Sequence, residues 1–155
     1  MALSPALMVP DFTEIFGTPK PEPSMSALRV VETVSRYLSA GNNVAFGTFV
    51  TWGYPYAQMT QCFSTPKIDS RLFAIDFTSA IVSGLAGLYT TFQIAAAPPG
   101  PVMLPMMITA VSKYNINSAP FAIEVASAIH AQATSTIITV SDPKLLGTVY
   151  AGPLF

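Results

Sequence analysis

The chain is 155 residues long, 51% hydrophobic and only 10% charged, with seven Lys or Arg, eight Asp or Glu and a net charge of -1. Ordinary soluble domains carry about 25% charged residues, so most of this exterior is uncharged and calls for cover by neighbouring chains or by lipid. The scattered basic residues Lys20, Arg29, Arg36, Lys67, Arg71, Lys113 and Lys144 exclude a basic arm for nucleic acid, and the single Cys62 excludes an intrachain disulfide.

The opening "MALSPALMVPDFTEIFG" lacks the basic end and unbroken apolar run of a signal peptide, with Pro5 and Pro10 interrupting it, which reads as a cytosolic product. Residues 1–24 read as an extended arm, because "GTPKPEPS" alternates proline with polar residues. Phe12, Ile15 and Phe16 form an apolar knot on that arm, which docks either on its own domain or on a neighbour.

A single domain is expected over 25–155, led by a helix over about 26–40 in which Ala27, Val31, Val34 and Leu38 share a face. Ser24 or Ser26 can cap it and Gly41 can stop it. Arg29, Glu32 and Arg36 lie opposite and read as a solvated face.

After Gly41 the hydrophobic period shifts toward 2. "NVAFGTFVTW" and "AQMTQCFS" read as strands joined by "GYPY", and "RLFAIDF" alternates with Phe73, Ile75 and Phe77 on one face. Further strands are expected at "LYTTFQIA", "VMLPMMITAV", "FAIEVASAI", "STIITVS" and "LLGTVYA", separated by turn compositions such as "APPGP" and "SDPK". In "VMLPMMITAV" both faces are apolar, so Met103 and Met107 read as the face that needs a partner. The resulting fold class is mainly β: about eight strands after an arm and one helix.

Residues 72–97 offer a different reading, since they are long enough to span a bilayer as one helix. Asp76 and Gln93 near the ends, the lack of an aromatic or basic anchor near 97, and the prolines that follow count against it.

Catalytic residues are sparse. Glu124 and His130 would share a strand face, but no nucleophile accompanies them. One Cys and one His cannot make the usual zinc set, the carboxylates are too dispersed for a calcium loop, and no phosphate cradle is present. No enzyme activity and no cofactor are expected. Trp52, Tyr54 and Tyr56 in "TWGYPY", without interleaved Arg or Lys, read as packing or a subunit contact.

An arm and helix followed by eight short strands is the order of a single jelly roll. With "LYTTFQIAAAPPGP" and "ATSTIITVSDP", the chain resembles coat proteins of small icosahedral positive-strand RNA viruses, tymovirus-like shells in particular. The resemblance implies an eight-stranded jelly-roll sandwich that self-assembles with copies of itself, either alone or together with other coat subunits. It also implies a viral genome enclosed with few basic contacts, assembly in the host cytoplasm and residence in the virion. The expected subunit-interface residues are Phe12, Ile15, Phe16, Trp52, Tyr54, Tyr56, Met103 and Met107. The alternative is a small membrane-embedded subunit of a larger complex.

Overall fold

The computed structural model describes residues 3–18, 22–40, 52–64, 70–88, 93–97, 101–142 and 147–153. Helices dominate it. They are α1 (Val9–Gly17), α2 (Pro23–Ala40), α3 (Tyr56–Ser64), α4 (Ser70–Ala86), α5 (Leu104–Lys113) and α6 (Ala119–Ser135), with a 3-10 turn at Pro5–Leu7. Strands β1 (Gln93–Ala97), β2 (Ile137–Asp142) and β3 (Gly147–Pro153) form an antiparallel sheet in the order β1-β2-β3.

This overturns the mainly β jelly roll. Of the eight expected strands, "STIITVS" and "LLGTVYA" overlap most of β2 and β3, and "LYTTFQIA" overlaps the start of β1. "AQMTQCFS", "RLFAIDF", "VMLPMMITAV" and "FAIEVASAI" lie instead within or largely within α3, α4, α5 and α6, and "NVAFGTFVTW" falls outside the described residues except for Trp52. The extended arm is also corrected: most of residues 5–17 are helical, and the helix expected near 26–40 starts earlier, at Pro23.

The prolines explain part of the difference. They occupy the first turns of α1, α5 and α6 as Pro10, Pro105 and Pro120, where the missing N–H has no intrahelical acceptor to lose. Pro105 therefore starts a helix rather than breaking a strand. Met103, Met107 and Ala110 then fall on one buried face at intervals of four and three.

Serine and threonine hydroxyls fit these helices by donating back to the preceding turn. Thr60 Oγ1 reaches the Tyr56 carbonyl at 2.8 Å, Thr109 Oγ1 that of Pro105 at 2.9 Å, and Ser112 Oγ that of Ile108 at 2.7 Å. In α6, six alanines supply helix propensity and a slim surface. Ser118 caps the helix by accepting from the Phe121 N–H at 3.4 Å.

α6 packs against α1, α5 and α4, while α2 packs on α3, α3 on α4 and α4 on α5. Phe121, Ala122, Val125, Ala126, Ile129 and Ala133 are among the α6 residues wholly removed from solvent. Phe16 is the point where the helices meet: its ring lies 5.1 Å from Phe121, 5.9 Å from Phe12 and 6.4 Å from each of Phe63, Phe73 and Phe77. The knot of Phe12, Ile15 and Phe16 thus binds its own domain.

The continuous helix expected over 72–97 is also corrected, because α4 stops at Ala86 and 93–97 is strand. Among the described residues, no helix is long and apolar enough to cross a membrane.

Candidate functional site: a clamped tyrosine turn beside α2

Trp52, Gly53 and Tyr54 form a segment held by close contacts to α2 and α4. The Trp52 indole is buried, and its Nε1 donates to Ser35 Oγ on α2 at 2.7 Å. Its ring lies over Gly84 of α4 so closely that a Cβ there would stand 2.5 Å from Trp52 Cε3. The Gly53 N–H donates to the Gly84 carbonyl at 2.9 Å, and a Cβ on Gly87 would stand 2.8 Å from Gly53 Cα.

These contacts hold Tyr54 at φ 42°, in the left-handed region. For a residue with a bulky side chain that backbone costs about 1–2 kcal/mol, and such strain persists only where the surroundings enforce it. The side chain that results is 50% exposed, and Tyr56 is 42% exposed at the start of α3.

Tyr54 walls a groove of about 510 Å³ whose floor is α2, lined by Leu28, Val31, Glu32, Ser35 and Arg36. Leu28 is exposed. Arg36 Nη2 donates to Asp11 Oδ2 at 2.8 Å, and Arg29 makes two bonds to Glu14, at 2.9 and 3.3 Å. The hydrogen bonds that Arg29 donates to the Glu14 carboxylate hold its guanidinium above the ordinary pKa. An apolar strip bordered by an acid and a base suits a protein surface better than a reaction centre.

Of the eight expected interface residues, Tyr54 and Tyr56 are on the surface. Phe12, Ile15, Phe16, Trp52, Met103 and Met107 are core residues of this chain, and their burial leaves no face for a partner. In sequence Glu32 and Arg36 read as a solvated face, and nothing in it joins Leu28 to them as a site. The available signal was Leu28, an apolar residue next to Arg29 on the charged side of α2.

Glu124 and His130 do not converge: six residues apart on α6, they point about 120° away from each other around the helix. His130 Nδ1 is instead 2.7 Å from Tyr37 Oη on α2. Burial pushes the His130 pKa below its ordinary value and the Tyr37 pKa above its own. The Cys62 thiol is buried, with Sγ 3.9 Å from the Phe73 carbonyl it donates to. Among the described residues no group of three or more His, Cys, Asp or Glu is placed to hold a metal ion.

No protein-family model matches the chain, and neither a curated protein nor a solved structure matches it.

Proposed function

We propose that the protein is a structural subunit that assembles with copies of itself, as a viral coat protein does, on a helical scaffold rather than a jelly roll. One observation carries this reading. From Leu72 to Val140 the only ionic side chains are Asp76, Lys113 and Glu124, while Leu72, Ile75, Val102, Ile116, Ile123 and Ile137 are exposed. A lone soluble chain keeps its surface hydrated with charge. A subunit surrounded by copies of itself buries that surface, where unpaired charge is costly.

The clamped Tyr54 supports the same reading, because rigid exposed tyrosines anchor protein contacts at low entropic cost. Arg29 and Arg36 are already engaged by Glu14 and Asp11, so an enclosed genome would meet few uncommitted cations on α2 and would depend on counterions from elsewhere. Electron microscopy of the protein expressed alone tests the proposal. Regular particles or filaments are expected; a dispersed monomer at high concentration overturns it.

A further inference from the structure

We infer that α2 is a twofold interface between two copies of this chain, with Glu32 of each copy against Arg36 of the other across an antiparallel α2–α2 crossing. The inference rests on the self-assembly reading and names a surface and a symmetry for it.

Leu28, Glu32, Arg36 and Ala40 follow one another at intervals of four and form one ridge on α2. Val31, Ser35 and Ser39 form the next ridge. The depression between the two ridges is the groove walled by Tyr54. Leu28, Glu32 and Arg36 are exposed along it, as a contact with a second helix requires.

Charge selects a second copy as that helix. Residues four apart stand about 6 Å from each other along a helix axis. A twofold axis crossing α2 midway between positions 32 and 36 maps each onto the other, so each carboxylate meets the opposite copy's guanidinium. The same operation sets exposed Leu28 against Ala40, whose small side chain leaves it room. A ridge carrying two acids or two bases would repel its own copy. This ridge is self-complementary, which is what an isologous contact requires.

Arg36 retains the capacity for this role. Its side chain is 66% exposed, and Asp11 accepts one bond from Nη2, while a guanidinium carries five N–H donors. Ridges of this spacing cross at about -50°, which keeps the contact centred near the Glu32–Arg36 pair, with Leu28 and Tyr54 as its apolar flanks.

The test is a charge exchange read by sedimentation. Glu32→Lys and Arg36→Glu each place like charges across the axis, and each alone is expected to weaken association more than about tenfold. Mixed together they restore both opposite-charge pairs, so the mixture is expected to associate where neither variant does. Leu28→Ser, at an exposed position, gives a charge-independent check and is also expected to weaken association. Thermal melts establish that each variant is folded.

If the unaltered chain associates and both charge variants associate equally well, the α2 twofold is wrong while self-assembly stands. A mixture that stays as dissociated as its components also overturns it. An unaltered chain that never associates removes both readings.

Discussion

Tyr37 Oη lies 2.7 Å from His130 Nδ1 and is a polar link between α2 and α6. Burial disfavours tyrosinate and imidazolium alike, so both partners of this hydrogen bond are neutral, and the imidazole tautomer sets which of them donates. Tyr37→Phe removes the hydroxyl from this bond and is expected to cost about 1 kcal/mol, measured by thermal or urea unfolding.

The same pair sets a pH dependence. His130 has a folded pKa below its ordinary value of about 6.5, so between the two values the unfolded chain binds a proton that the folded chain does not. The His130 contribution is therefore complete above about pH 6.5 and is lost as pH falls through the lowered value. Melting temperatures measured downward from about pH 8 are expected to fall in that window, and His130→Gln is expected to flatten the fall.

Gly84 is fixed by space. A methyl group there would meet Trp52 Cε3 at 2.5 Å and Pro55 Cδ at 2.9 Å. Gly84→Ala is expected to destabilise by about 1–3 kcal/mol, the usual range for overpacking. It should also shift the tryptophan fluorescence of the native state, since Trp52 is the chain's one tryptophan.

Phe16 joins rings from α1, α3, α4 and α6. Phe16→Ala is expected to cost about 3–5 kcal/mol, read by chemical unfolding. A contact residue serving only a neighbouring subunit would leave the isolated chain's stability unchanged when truncated. The two roles are therefore separable.

The legible parts of the fold were those where pattern and environment agree. α2 alternates a buried and a charged face, and its helical period was plain from Ala27 to Leu38. β2 and β3 were legible because "TIITV" and "TVY" are β-branched or aromatic and bounded by turn residues. α4 and α6 were not, because apolar residues occupy most of their circumference and no single period stands out. Short windows such as Leu72–Phe77 then imitate alternation. Pro105 inside "VMLPMMITAV" gives no helix signal by itself, because sequence alone does not tell a first-turn proline from a terminating one. Tyr54 and Tyr56 were singled out at the candidate site. The groove beside Tyr54 was missed because it depends on α2 and the 52–54 turn meeting in space.

Thr78 on α4 carries a buried hydroxyl with no hydrogen-bond partner among the described residues. An unmet polar group of this kind costs about 1–3 kcal/mol. Thr78→Val keeps the shape and removes the hydroxyl, so the variant is expected to be as stable as the original or more so. A clear loss in melting temperature would mean that the oxygen is bonded in solution.

Sedimentation velocity of the purified, unaltered chain across roughly a hundredfold range of concentration most directly tests whether its uncharged exterior exists to be covered by its own copies. The account predicts a sedimentation coefficient that climbs with concentration toward a defined assembly. A single monomeric boundary at every concentration would contradict it.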